Sequence, residues 1–425
     1  MEPCGLTFDG VECAATGDHF CIPRADKAQA FFEEILVHTK GRYVRKKFIL
    51  ADWQRDDIIR PLFGQTVWSE EFQAYKRRYE IAWIEMARKG AVLDTPILTA
   101  NRGWTTFGDI RLGDLVFNLE GQPETVDFVS DVVTEPVYRV TSRFGKALTV
   151  GRDHDWIIQD RTKPRGALRQ PDGTRLKGEY VTFAVTTEEM ASAPLKDKRG
   201  AYVNALPGIA SLKTDSAKLP MDPYCLGAWL GDGTAKCGEM TAHEDDQPFM
   251  RAQFEAAGYR TTTRAHPQQF GVLKLVKDLR AAGVLGNKHV PEQFLLASEA
   301  DRLQLLRGLM DTDGWASVKG NGLIYGFCSK IVQIADSVEF LARSVGYNTS
   351  RSIKTVAGCG DYVEIRFSAV PGLPNPHRMP RKADKVRASN YRPQLDSIVS
   401  IEPVGTAKTR CIGVPSGAFL AGRDL

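Results

Sequence analysis

Apolar positions recur at helical spacing in two early stretches of the chain. Phe31, Phe32, Ile35 and Leu36 fall on one stripe of Ala28–His38, and Phe48–Phe63 repeats the pattern with its entry at Asp52-Trp53-Gln54. Tyr79–Met86 (YEIAWIEM) reads as a short buried strand and runs into Ala87-Arg88-Lys89-Gly90, the way a phosphate-binding loop begins. Past Gly90 the period changes to two. Residues 91–160 alternate in short runs rich in β-branched residues, with turn signals at Ala100–Gly103, Gly113-Asp114 and Glu120-Gly121. A basic stretch with Gly and Pro and further short strands fill 161–220. Helices mixed with strands return from Pro223 to about Arg381. The β texture resumes from about Gln394, in Ser397–Pro403, Thr409–Val414 and Phe419–Ala421. The pattern is that of a β domain interrupted by an α+β domain.

At 425 residues the chain has material for several cores, and its 43% hydrophobic content is too high for a disordered chain. Lys plus Arg number 56 against 52 for Asp plus Glu, so the net charge of +4 excludes a histone-like polycation and leaves room for a local basic face. No apolar run approaches the ~18 residues of a membrane span, so no membrane partner is expected. Met1–Gly10 carries an acid and no apolar core, unlike a secretory signal. The eight cysteines are scattered, which favours reduced thiols in a cytosol over a disulfide framework. Cys4, Cys13, His19 and Cys21 are metal-ligand types, but their spacing fits no compact knuckle and no zinc is expected there.

Two related nonamers mark the middle region: Cys225–Gly233 (CLGAWLGDG) and Leu306–Gly314 (LRGLMDTDG). Each has Gly third and Asp-Gly last, and Asp232 and Asp313 lie 81 positions apart. Glycine inside a helix costs ~1 kcal/mol relative to Ala, and close approach of two helices at Gly227 and Gly308 would account for it. The helix ends would then bring two carboxylates together, a repulsion that a hard divalent cation such as Mg²⁺ relieves. The nonamers resemble the twin motifs of LAGLIDADG homing endonucleases. That resemblance implies two αββαββ repeats, double-stranded DNA as partner, Asp232 and Asp313 as Mg²⁺ ligands, and a cleavage-assisting role for Lys288 of Lys288-His289-Val290-Pro291. An ordinary helix pair capped by Asp-Gly turns is the bland alternative.

The flanks resemble an intein. Gly90–Thr95 (GAVLDT) with Pro96–Thr99 resembles the first block, Asp114 fits a Gly-Asp turn, and Leu148–Ile157 (LTVGRDHDWI) resembles the block with the intein histidine. Thr409–Val414 (TRCIGV) and Phe419–Ala421 resemble the penultimate block. Gly90, or Ala91 if the register slips by one, stands where most inteins have a nucleophilic Cys or Ser. Cys411 in the penultimate block, with Trp156 two residues after His154, resembles the class 3 arrangement. It implies that Cys411 attacks the Lys89 carbonyl, that His154 protonates the Gly90 amine and that Trp156 positions the thiol. Gly151 stands where a threonine is usual, and no terminal His-Asn follows before Leu425, which reads as a fragment or a splicing-dead remnant.

Residues 20–89 resemble the ATPase of phage terminase large subunits, with Trp53-Gln54 similar to the adenine-contacting segment and Arg88-Lys89 opening the phosphate loop. The expectation is therefore multidomain. A terminase ATPase fragment of α/β P-loop type spans 1–89, and an all-β Hint horseshoe spans 90–215 and 386–425. The horseshoe is split by the α+β endonuclease domain at 216–385. Gln54, Arg88 and Lys89 would bind ATP only in the complete spliced host, whose implied partners are a terminase small subunit and portal. The implied setting is the cytoplasm of a bacterial cell carrying a phage or prophage. The rivals are a hedgehog-type autoprocessing protein, which would begin with Cys and lack an endonuclease, and a free-standing endonuclease with inert flanks.

Overall fold

The computed structural model describes residues 2–37, 45–50, 52, 54–80, 90–164, 180–319, 322–356, 358, 360–370, 372–385 and 395–425. The chain divides into two compact units, Met1–Met86 and Ala87–Leu425.

In the first unit Thr7–Phe8 and Val11–Glu12 form a hairpin closed by Asp9-Gly10. Both loop residues take positive φ, 49° and 76°, the requirement of a two-residue turn that Asp-Gly meets cheaply. His19–Phe20, Gln65–Ser69 and Ala74–Arg77 make a three-stranded antiparallel sheet. The first expected helix starts earlier, at Ile22 with Pro23 in its first turn, and passes at Phe31–Ile35 into a π-helical turn. The second, expected to enter at Asp52-Trp53-Gln54, contains π-helical Gln54–Ile59 leading into Arg60–Gly64, and Phe48–Leu50 lie outside it. Pro61, without an N–H to give the preceding turn, sits where the two geometries meet. Among residues 2–80 that are described, every strand pair is antiparallel, so the α/β character expected there does not show in this part. Trp53, residues 81–86 of the expected strand, Arg88 and Lys89 lie outside the described residues.

The second unit contains many sheets. Its largest has seven strands in the spatial order Val133–Ser142, Ala147–Gly151, Ala91–Val92, Asp396–Arg410, Asn204–Leu206, Asp155–Pro164, Tyr180–Thr186. The strand Asp396–Arg410 comes from the far end of the sequence and lies in the middle of strands from 91–206. It also pairs along Val133–Ser142, with a register shift between Pro136 and Tyr138. There the chain takes two steps from Pro136 to Tyr138 while its partner takes three from Thr406 to Pro403, so the extra residue of the bulge lies on Asp396–Arg410. A smaller sheet carries the Gly113-Asp114 turn. Asp114 is buried, accepts 2.7 Å from Arg102 Nε and 2.8 Å from the Arg111 amide, and its carboxyl is held below the usual range chiefly by Arg102.

Between these strands lies an α+β region with its own core. Helix Pro223–Asp232 leads to a three-stranded sheet (Glu239–Thr241, Gln269–Leu273, Arg260–Thr263), and helix Glu299–Thr312 to a four-stranded one (Gly314–Lys319, Gly322–Ser329, Gly360–Ser368, Thr349–Val356). In the first repeat the strand matching Gly314–Lys319 is reduced to a single bridge, Gly233 with Met240. Pro223 to Leu230 are all buried, so this helix is apolar all round because it is central. Its start is fixed by Asp222, which accepts from the Cys225 amide at 2.9 Å, and Ser298 caps the second helix likewise. The outer strand Thr349–Val356 is solvent-exposed from Arg351 onward, with Arg351, Lys354 and the neighbouring Arg366 on the surface.

Candidate functional site

The two nonamers form the helix pair their glycines imply. A Cβ on Gly227 would stand 2.3 Å from the Leu305 carbonyl oxygen, and one on Gly308 would stand 2.2 Å from that of Tyr224. A Cβ on Gly231 would come within 2.1 Å of Thr312 Oγ1 and 3.4 Å of Asp313 Oδ2. The backbones touch, and the two acids end their helices side by side. A helix C-terminus carries partial negative charge, so both carboxylates sit where anions are least welcome. Burial, with Asp313 as neighbour, pushes the Asp232 carboxyl up to about 6, and burial raises Asp313 as well.

Two lysines answer this field. Lys288 donates to the Leu230 and Gly231 carbonyls, both at 3.0 Å, over the face of Trp229. Lys382, which sequence reasoning missed, donates to the carbonyls of Met310, Asp311, Thr312 and Gly314 at 2.6–3.1 Å. Each lysine thus caps one motif helix and lowers the pKa of the acids beside it. Burial in turn depresses both ammonium groups, Lys382 to about 8. Two carboxylates with nearby backbone carbonyls are an all-oxygen donor set, which suits a hard divalent cation. The neighbouring Asp311 serves packing instead. It is buried and accepts from Tyr224 Oη at 2.9 Å, His377 Nδ1 at 3.3 Å and the amides of Arg378 and Met379.

The second cluster gathers around Gly90. A Cβ there would lie 1.5 Å from the Arg410 carbonyl oxygen and 2.6 Å from the Cys411 nitrogen, so no side chain of any kind fits. Ala91 pairs with Arg410 on one side and Val150 on the other. The Gly90 carbonyl accepts from the Gly151 amide at 3.1 Å, and the Gly151 carbonyl accepts from His154 at the same distance. This ladder ties the histidine turn to the residue beside Cys411. His154 meets Trp156 edge to face, with ring centroids 5.3 Å apart, and Trp156 Nε1 donates to Thr187 Oγ1 at 3.0 Å. Ala91, His154 and Trp156 border one cavity of about 170 Å³ with Phe419 and Leu420.

Two further residues of this cluster were not read from the sequence. Ser130 clamps the Cys411 backbone, its hydroxyl accepting from the Cys411 amide and its own amide donating to the Cys411 carbonyl, both at 2.9 Å. Glu135 is buried, accepts from Thr409 Oγ1 at 2.5 Å and lies 2.4 Å from where a Gly151 Cβ would be. The carboxylate fills the space that a threonine at position 151 would need. Gln54 is half-buried at the start of its π-helical turn. The ligand atoms of Cys4, Cys13, His19 and Cys21, set aside on spacing, lie within 4.8 Å of one another, because the Asp9-Gly10 hairpin folds the first two together.

No family model matches the chain. A replicative DNA helicase DnaB of Mycobacterium intracellulare is 32% identical over 352 residues, 79% of this chain and 58% of that protein. The chain thus spans somewhat over half of that relative's length. Among solved structures, the MchDnaB-1 intein is similar at 27% identity over 23% of this chain and 72% of its own, with a TM-score of 0.16. The gp41-1 intein is similar at 18% over 23% and 87%, also with a TM-score of 0.16. The homing endonuclease I-DmoI in complex with DNA and Ca is similar at 14% over 35% and 83%, with a TM-score of 0.25.

Proposed function

We propose that the chain is an intein that carries a LAGLIDADG homing endonuclease and begins splicing at the internal Cys411. The observation that carries this is the contact at Gly90. The junction residue has no nucleophile because its α-carbon is packed against the peptide that leads into a cysteine. In the proposed first step the Cys411 thiolate sulfur bonds to the Lys89 carbonyl carbon, the Lys89–Gly90 C–N bond breaks, and protonated His154 gives its proton to the departing amine, which leaves a neutral thioester, amine and imidazole. Trp156, held by Thr187, keeps the imidazole in place. Treatment with dithiothreitol should release residues 1–89 and leave Gly90 as a new N-terminus, read by mass spectrometry. Cys411→Ala should release nothing. Persistent cleavage in that variant would remove Cys411 from the mechanism, and a new terminus at Ala91 would move the junction by one.

The endonuclease reading rests on the paired acids at touching helices. Asp232 and Asp313 would hold a Mg²⁺ ion, which when bound would polarise the scissile phosphate and its attacking water. Lys288 and Lys382 would keep the acid pair within reach of a polyanion, and the sheet face that carries Lys354 and Arg366 would lie along double-stranded DNA. The boundaries that follow are 90–215 and 386–425 for the splicing domain and 216–385 for the endonuclease. Residues 1–89 would be host sequence from a phage terminase ATPase, interrupted in its phosphate loop. Gln54, Arg88 and Lys89 would bind ATP only after ligation, in a bacterial cytoplasm with the terminase small subunit and portal as partners. The DnaB relative favours a second host reading, a replicative helicase, and peptide sequencing across a ligated junction separates the two.

A further inference from the structure

We propose that Cys4, Cys13, His19 and Cys21 form a structural zinc site that staples the first unit of the chain. The four ligand atoms lie within 4.8 Å of one another. Cys4 Sγ and Cys21 Sγ are 3.8 Å apart, and Cys13 Sγ is 3.3 Å from His19 Nε2. A tetrahedral zinc with Zn–S of about 2.3 Å and Zn–N of about 2.0 Å has S···S edges of about 3.8 Å and S···N edges of about 3.5 Å. Both separations are thus close to what one ion needs, with little movement of the side chains.

The surroundings are arranged for such an ion as well. His19 Nδ1 lies 2.7 Å from the Gly17 carbonyl oxygen, so the proton belongs on Nδ1 and the lone pair of Nε2 faces the sulfurs. Thr66 Oγ1 is 3.3 Å from the same Nε2 and donates to the His19 carbonyl at 2.9 Å, which leaves the nitrogen open to a metal. Tyr75 meets the imidazole edge to face at 5.1 Å and holds its plane. Cys13 and Cys21 are buried, which keeps the sulfurs from solvent oxidants.

The unit also has need of a staple. Its buried apolar side chains among the described residues are little more than the two cysteines, Ala25, Leu50, Ile59 and Tyr75. Its first three strands have two residues each. So small a core supplies only a few kcal/mol, and a structural metal is one of the usual remedies. The ligands come from the hairpin flanks (Cys4, Cys13), the first strand of the sheet (His19) and the start of helix Ile22–Ala30 (Cys21), so one ion would tie three separate elements.

The test uses the full chain, expressed with added zinc and desalted under reducing conditions. Metal analysis should give about one zinc per chain in the wild type and in Cys411→Ala, which removes the other cysteine of interest. Cys4→Ser/Cys21→Ser should lose at least four-fifths of it. His19→Cys should keep the metal, and Co²⁺ substitution should show tetrahedral d–d bands with stronger thiolate charge transfer than the wild type, which reports the ligand set even if the double variant folds poorly. A chelator should speed amide exchange at Cys4–Phe20 and leave Asp396–Arg410 unchanged. A zinc-free wild type at saturating zinc would overturn the proposal. So would undiminished zinc in the double variant, or a mass deficit of two hydrogens marking a Cys4–Cys21 disulfide.

Discussion

The acid pair at Asp232 and Asp313 and the cluster around Gly90 solve opposite problems with the same device, a glycine pressed against foreign backbone. At Gly227 and Gly308 the contact brings two like charges together, and the field that results is strong enough to need Lys288 and Lys382. At Gly90 the contact brings no charge at all. It brings a backbone carbon beside Arg410–Cys411, and the polar groups around it, Ser130 and Glu135, hold backbone and threonine rather than each other. The first site stores electrostatic repulsion and is ready for a cation. The second excludes side chains.

The sharpest way to break this comparison is to neutralise one acid. Asp313→Asn should lower double-strand cutting by at least ~10³-fold, in the range set by loss of a catalytic electrostatic group, while binding to the same DNA survives. Thiol-induced release at Lys89–Gly90 should not change. Binding of both proteins should weaken steeply with salt, as phosphate contacts require. A variant that cuts normally would dissolve the distinction between the sites.

Next in size are the glycines. Gly308→Ala must push the motif helices apart and should cost about 3 kcal/mol, read as a lower denaturation midpoint at unchanged slope. Gly90→Ala collides with the Arg410–Cys411 peptide beside an inner strand of the seven-stranded sheet, so it should suppress thiol-induced release beyond what its lower midpoint accounts for. Equal losses of stability in the two variants would mean that both contacts serve packing alone.

The smallest effect concerns pH in a chelator. The folded chain keeps the Asp232 proton up to about 6. The unfolded chain releases it near ~3.9, so the metal-free protein should lose stability as pH rises between these values. Asp232→Asn removes that loss. At pH 7 it should be more stable than the wild type by about 3 kcal/mol, at roughly 1.4 kcal/mol per pKa unit, with no difference below pH 4. Mg²⁺ should reverse the order by stabilising only the wild type.

What the sequence disclosed follows from how each site is encoded. Asp232, Asp313, Gly227 and Gly308 sit in a repeated nonamer, so a linear comparison finds them. Lys382 sits among Arg378, Arg381 and Lys385, and only the fold shows which cation turns to the helix end. Glu135 is invisible in one dimension because its carboxylate reaches Gly151 diagonally across two strands, two residues from Val137, which stands opposite that glycine. Cys4, Cys13, His19 and Cys21 were set aside because spacing was counted along the chain, whereas the fold brings their ligand atoms within 4.8 Å of one another. Cys4 and Cys13 flank the Asp9-Gly10 turn, and folding the sequence about that turn would have paired them. The early helices were displaced because apolar periodicity says nothing about π-helical turns or about Pro61.

The strand Asp396–Arg410 has a consequence in time. During synthesis at roughly 5–20 residues per second, Gly90 leaves the ribosome well before Cys411, by on the order of half a minute. Until then the middle of the seven-stranded sheet is vacant and the thiol does not exist. The helix pair and its sheets, complete by Ser368, have that interval in which to fold, and their folding shortens the loop that the late strand must close. The order of the chain is therefore a clock: the paired acids are assembled first, and under the proposed mechanism the bond at Gly90 would be safe from Cys411 until this late strand is laid down.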